Sequence, residues 1–151
     1  MEIKPIGRVC GGRAVPYDDN WGNSHCRLEL DAACFDAEAL AGLGDFSHVE
    51  VIFVFDRVTD AEIDMGARHP RGRSDWPKVG IFAQRGKNRP NRIGVTICKI
   101  LQVSGTMIEV VGLDAIDGTP ILDIKPVMKE FLPRGVIRQP LWAQELMRNY
   151  W

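Results

Sequence analysis

The sequence contains four cysteines, Cys10, Cys26, Cys34 and Cys98, but no C-x-x-C pair, so neither a structural zinc site nor a disulfide framework has the spacing it needs. Long apolar runs are also missing. The best one, Val49 to Phe55, is interrupted by Glu50 and is far too short to span a bilayer. Met1-Glu2-Ile3-Lys4-Pro5 has neither the apolar region nor the cleavage pattern of an export signal. These absences lead to the expectation of a reduced, cytoplasmic protein with no membrane and no metal partner. His25, His48 and His69 have no acidic or cysteine neighbours at metal-ligand spacing, and no Ser–His–Asp arrangement stands out. Gly-x-Gly-x-x-Gly and phosphate-loop signatures are absent, which withdraws support from a doubly wound nucleotide-binding sheet.

What is present fits one globular domain over 1–151, with a core expected at about 3–133. Hydrophobic and charged contents are near globular averages. Most segments read as strands. Ile3 to Val9 is short and apolar and ends at Gly11-Gly12. His25 to Leu30 alternates, with Cys26, Leu28 and Leu30 on one face. Val49 to Phe55 is β-branched and aromatic, as in a central strand. Val79 to Ala83, Ile93 to Val103, Met107 to Leu113 and Pro120 to Ile124 complete the set, with turns at Ser104-Gly105 and Asp117-Gly118. Asp36 is placed to cap a short helix over Ala37 to Leu43, lying across a barrel end, and Pro140 opens a helix at about 140–149, with Trp142 and Leu146 facing the body. Asp56 to Lys78 reads as a long loop, a feature that is usually functional or mobile. Many short strands with few helices predict a mainly β protein, a closed or nearly closed β-barrel with short peripheral helices.

Two stretches carry candidate chemistry. Between Arg68 and Arg92 lie Arg68, Arg71, Arg73, Lys78, Arg85, Lys87, Arg89 and Arg92, opposed only by Asp75. This segment carries +7 against a formal net charge of −1, leaving −8 for the rest, so an anionic partner met at one face is expected. Within it, Arg85-Gly86-Lys87-Asn88-Arg89-Pro90-Asn91 forms a loop between two expected strands. Arginine offers a rigid donor fork for phosphates, carboxylates or base edges, Pro90 fixes the backbone, and the Asn91 amide suits a turn cap or an adenine edge. The second stretch, Gly112 to Pro126, holds Asp114, Asp117, Asp123 and Lys125 on a strand–turn–strand. Asp117-Gly118-Thr119-Pro120 is a good turn on its own. Asp123 and Lys125 share a face, either as an interior pair or as a surface one.

Taken together, these stretches resemble the TrmO family, also called TsaA-like or YaeB-like proteins. Four elements match in order: Ile6-Gly7, Leu43-Gly44-Asp45-Phe46-Ser47-His48, Arg89-Pro90-Asn91-x-Ile93-Gly94, and Asp117-Gly118-Thr119-Pro120-x-x-Asp123-Ile124-Lys125-Pro126. The resemblance implies a β-barrel methyltransferase with S-adenosylmethionine held near a homodimer interface. The implied reaction methylates the exocyclic N6 of threonylcarbamoyl-modified adenosine at tRNA position 37, just 3′ of the anticodon. Carried across position by position, Arg85, Arg89, Pro90, Asn91 and Val95 would line the cofactor cleft. Asn20 and Trp21 fall near a cofactor-binding Pro-Arg-Gln segment, and Asp56 and Arg57, following Phe55, fall where bacterial relatives often have His-Gln.

The basic residues Arg71, Arg73, Lys87, Arg92 and Lys125 are the candidates for gripping tRNA, and Trp21 or Phe82 for stacking on a base. The attacking amine must shed a proton, for which Asp114, Asp117 and Asp123 are the candidate catalytic acceptors. Two other functions suit the same features: methylation of another RNA or a small molecule, and a non-catalytic RNA-binding β-barrel.

Overall fold

The computed structural model describes residues 2–151 and contains a closed antiparallel barrel. Its strands are β1 (Gly7–Cys10), β2 (His25–Leu30), β3 (His48–Val54), β6 (Ile93–Ser104), β7 (Met107–Val111) and β8 (Pro120–Pro126). Around the barrel the order is β1-β2-β7-β6-β3-β8, with β8 closing on β1 through Gly7↔Ile121. A two-stranded ribbon of β4 (Ala67–Arg68) and β5 (Val79–Gly80) stands apart, and helix α1 spans Leu141–Met147. No helix among the described residues is long and apolar enough to cross a membrane.

Side-chain alternation explains the closure. Leu28, Val49, Val51, Phe53, Ile108, Val110 and Ile121 point inward and are essentially without solvent contact, as is Val9 on β1. Polar or partly exposed neighbours such as Arg27, Glu29 and Glu50 take the opposite face. A strand buried on one face has its register set by this pattern, because a one-residue slip would expose the whole inner row. Phe53 lies directly across from Gly94, whose missing side chain leaves room for the ring; a Cβ at Gly94 would drive into Phe53. Leu40, Phe35 and Leu43 cover one end of the barrel.

The local structure departs from the sequence expectation in several places. Ala37 to Leu43 is not an α-helix but two short 3-10 turns, Ala37–Leu40 and Leu43–Asp45, separated where Gly42 adopts φ +82°. Asp36 does cap the first, accepting from the Glu38 N–H at 2.9 Å. The strand expected over Val79 to Ala83 stops at Gly80, and Ile81–Ala83 turns as 3-10 helix. Here Ile81 is buried and Phe82 is thrown outward, while the buried Gln84 amide donates to the Arg68 and Val79 carbonyls at 3.2 and 2.9 Å. The first strand starts later than Ile3, at Gly7.

In β8 a register shift opposite Ile52 and Phe53 changes the alternation. Phe53 pairs with Ile121 and Ile52 with Asp123, so Ile121 and Ile124 both reach the core and Asp123 faces out. The long Asp56–Lys78 segment is ordered by its own anchors. Thr59 and Glu62 form a capping box, Val58, Pro70 and Trp76 are buried, and His69 Nδ1 is 2.7 Å from the Trp76 carbonyl oxygen.

Candidate functional site

The Arg85–Asn91 loop is fastened from beneath. Asn88 accepts from the Arg68 guanidinium at 3.3 Å, donates its amide to the Glu62 carbonyl at 2.9 Å, and offers its own carbonyl to the Asp64 N–H at 2.9 Å. Arg68 is paired with Asp64 at 2.9 Å and passes so close to Gly86 that a Cβ there would lie 2.7 Å from its terminal nitrogen. Arg89 to Arg92 closes as a β-turn, with the Arg92 N–H on the Arg89 carbonyl at 2.9 Å and Pro90 at the second position, where its fixed φ suits such a turn. Asn91 occupies the third position and is exposed.

The fastening separates the basic residues into two kinds. Arg71 forks onto Asp19 at 2.7 Å and 3.1 Å. Arg73 pairs with Asp75 and lies over the Trp76 ring at 4.1 Å. Arg92, at φ +53°, donates to the Val58 carbonyl at 2.7 Å and to Asp60 at 3.2 Å, so it ties the loop to the segment after β3. Among the described residues, Lys78, Arg85, Lys87 and Arg89 have no carboxylate within ion-pair distance. Arg85 and Arg89 each use one guanidinium nitrogen on a backbone carbonyl, Val95 at 2.6 Å and Gln84 at 3.1 Å. The remaining donors of both forks have no hydrogen-bond partner among the described residues.

The three candidate carboxylates occupy different settings. Asp117 accepts from the Gly11 N–H at 2.7 Å, and its backbone meets Arg13 and Arg57, so it pins the turn before β8 to the end of β1. Asp123 is a surface residue bound to Lys125 at 2.5 Å, both about half exposed, on the outer face of β8. Asp114 follows the end of β7 and is partly buried, with one oxygen accepting from the Thr96 hydroxyl and the other from the Tyr150 phenol. Burial, and then the Asp114 charge, push the Tyr150 phenol well above the usual tyrosine range, while Arg85 and Arg71 oppose that shift. The phenol is therefore a neutral donor facing an acceptor.

Tyr150 had no signal in the sequence, because nothing in a short terminal helix pattern identifies its partner. It is placed by the segment that carries it. Glu145 on α1 accepts from the Trp76 indole at 2.7 Å, and the Asn149 and Tyr150 carbonyls accept from the N–H groups of Asn20 and Trp21 at 2.8 and 2.7 Å. Gly22 allows the closest approach, since a Cβ there would meet Trp151 backbone at 2.7 Å. Trp142 and Leu146 are partly buried, as their spacing suggested.

Trp21 is thus linked to Asp114 through Tyr150, and Arg85 reaches it through Val95 and the adjacent Thr96, while Arg71 holds Asp19 next to Asn20. Trp21 does not offer a stacking surface: it is buried, its indole donates to the Tyr17 carbonyl at 3.0 Å, and Arg13 covers its ring at 4.2 Å. Phe82 does, being 79% exposed just before Arg85. Phe55 packs edge-on against Phe53, Asp56 is exposed, and Arg57 binds the Ala14 and Asp117 carbonyls at 3.1 and 3.3 Å. Among the described residues no group of three or more His, Cys, Asp or Glu is arranged to hold a metal ion.

This framework coincides with a known one. A family model described as the tRNA-methyltransferase O N-terminal domain matches residues 12–131, most of the chain. The chain belongs to that family. Among its relatives, the human tRNA (adenine(37)-N6)-methyltransferase is 38% identical over 111 residues, covering 74% of this chain and 25% of that protein. The Escherichia coli K12 protein of the same name is 34% identical over 105 residues, covering 67% of this chain and 44% of its own length. In three dimensions, the crystal structure of TrmO from Pseudomonas aeruginosa aligns with a TM-score of 0.75 at 25% identity, over 94% of this chain and 61% of that one. The chain therefore spans less than half the length of these two curated relatives. The segment carrying Tyr150 lies beyond the residues that the TrmO family model matches.

Proposed function

We propose that this chain is a S-adenosylmethionine-dependent tRNA methyltransferase that methylates adenosine N6 at tRNA position 37, the substrate being the threonylcarbamoyl-modified base. The reading rests on one observation above all: the family match from 12 to 131 encloses an Arg85–Asn91 loop whose Arg85 bonds the Val95 carbonyl, next in sequence to the Thr96 that donates to Asp114. The donor set fits the cofactor. Arg85 and Arg89 suit its carboxylate, Phe55 and Val95 suit its apolar surface, and the exposed Phe82 suits an adenine face. The bound cofactor supplies an already activated methyl group. The protein's task is alignment, which alone can contribute several kcal/mol, on the order of 7–11, to lowering a barrier.

The attacking amine must lose its proton, and Asp114 is the acceptor this reading assigns. Asp117 pins the turn before β8 to the end of β1, and Asp123 lies with Lys125 on the outer face of the barrel. Each oxygen of Asp114 accepts one hydroxyl and keeps a second lone pair. Lys87 holds a tRNA phosphate, so binding weakens as salt rises. The reading includes a cytoplasmic homodimer with the cofactor near its interface, as the family resemblance implies. The test is incubation with labelled S-adenosylmethionine and tRNA from cells lacking the N6 methylation, followed by nucleoside analysis. Label in the modified adenosine is the expected result. No label at adequate cofactor occupancy rejects the reading, and failure to bind the cofactor at all moves the protein to a non-catalytic RNA-binding barrel.

A further inference from the structure

Outside the loop and the acidic turn, the segment Pro140–Trp151 concentrates its contacts on the parts that build the site. It touches three of them at once: Asn20 and Trp21 through backbone hydrogen bonds, Trp76 through Glu145, and Asp114 through the Tyr150 phenol. These partners are far apart in sequence and no strand of the barrel joins them. The segment also lies outside the region that defines the family. We infer that Tyr150 is a positioning residue for methyl transfer, orienting the Asp114 carboxylate opposite Thr96 and beside Arg85, so that the C-terminal segment completes the site that the barrel leaves half built. The inference rests on the functional reading above.

The geometry carries it. A carboxylate held at only one oxygen rotates about its Cβ–Cγ bond; held at both, by Thr96 from inside the barrel and Tyr150 from the tail, it has one orientation. The Tyr150 ring is itself fixed, edge-on against Trp151 at 4.9 Å and tied by its carbonyl to the Trp21 N–H. The charged and titratable groups facing this pair are Arg85 from the loop, Arg71 from the turn before it, and Cys98 from β6. Removing the phenol hydroxyl takes one hydrogen-bond donor from the charged carboxylate, which makes the carboxyl group easier to protonate. The acid limb of the rate profile then moves to higher pH.

The experiment uses the full chain with Tyr150→Phe, which keeps the ring and removes the hydroxyl. The expected result is a fall in kcat of roughly 10-fold, in the range of a lost positioning contact, with cofactor affinity by titration calorimetry unchanged within about two-fold and the acid limb displaced upward. Asp114→Asn alone and Asp114→Asn with Tyr150→Phe should then have the same residual rate, because the phenol acts through the carboxylate. Difluorotyrosine incorporated at position 150 keeps the hydroxyl and makes it a stronger donor, so the acid limb should move to lower pH even if Tyr150→Phe fails to fold. An unchanged kcat and acid limb, or losses that add in the double variant, overturn the positioning role while wild-type methylation stands. Absence of methyl transfer by the wild-type chain overturns the functional reading and the positioning role with it.

Discussion

Arg71, Arg73 and Arg92 belong to the same basic segment as Arg85, Lys87 and Arg89, yet the two groups have opposite fates. The first group spends its charge inside the protein, on Asp19, Asp75 and Asp60. The second meets only carbonyl oxygens or solvent. A linear count of charge treats them alike and assigns all +7 to a partner. The fold shows that the acidic body reaches the band at Asp19 and Asp60, while Asp75 pairs with Arg73 within it. What remains without a carboxylate partner is the loop itself, which follows the exposed Phe82. Arg71, Arg73 and Arg92, expected from sequence as tRNA contacts, are each held in an ion pair within the protein. Lys125 likewise closes on Asp123 on the outer wall of the barrel.

Variants sharpen this division, beginning with the largest effect. Arg89→Ala, and equally Arg85→Ala, should lower tRNA methylation by roughly 100-fold or more, the scale for loss of a placed charged donor, with the melting temperature almost unchanged. Wild-type activity in either variant would remove the loop from the site. Arg71→Ala and Arg92→Ala should do the reverse. Arg71 is 22% exposed and Arg92 33%, though the Asp60 partner of Arg92 is 91% exposed. Each loses hydrogen bonds costing about 1 kcal/mol, the smaller cost at Arg92, read as a lower urea midpoint. A midpoint equal to wild type would place these arginines with the free group.

The salt dependence of tRNA binding offers a finer test. Lys87→Gln should reduce the slope of log K against log salt by about 1, whereas Arg73→Gln should leave it nearly intact, and equal slopes for both would erase the distinction.

A smaller effect is expected at high pH. The Tyr150 phenol is shifted upward in the folded protein from its ordinary value of 10.0. Its contribution to stability is thus fully present below pH 10 and is lost as pH rises toward the folded value. The tyrosinate absorbance removed by Tyr150→Phe should appear only above the usual tyrosine range. Smallest in consequence is thiol labelling. Cys34 is exposed and should react first, while Cys26 and Cys98, buried and with thiols pushed up to about 12, should react only on unfolding. Rapid labelling of all four in the folded protein would mean that the barrel interior is open.

The barrel was legible from the chain because alternation is a local property. His25–Leu30, His48–Val54 and Met107–Val111 each place an apolar side chain at every second position, and burying one face of each leaves few arrangements other than closure. Turn chemistry was legible for the same reason, as in Asp117-Gly118 and Pro90. The Arg85–Asn91 loop could also be singled out, through composition and through the family pattern, whereas Asp114, Asp117 and Asp123 stood as equal candidates. Val79 to Ala83 misled, because its apolar residues serve a 3-10 turn that buries Ile81 alone and exposes Phe82.

The sequence by itself thus determined the barrel, its turns and the place of the basic loop, since each follows from neighbours along the chain. Only the tertiary structure decided which charges are paired, where each carboxylate sits, and what Tyr150 touches. Those outcomes depend on contacts between residues tens of positions apart: Arg71 with Asp19, Asp123 facing out after a register shift, and Tyr150 with Asp114. Pairing across such distances is set by how the barrel brings its loops together, and composition carries no record of it.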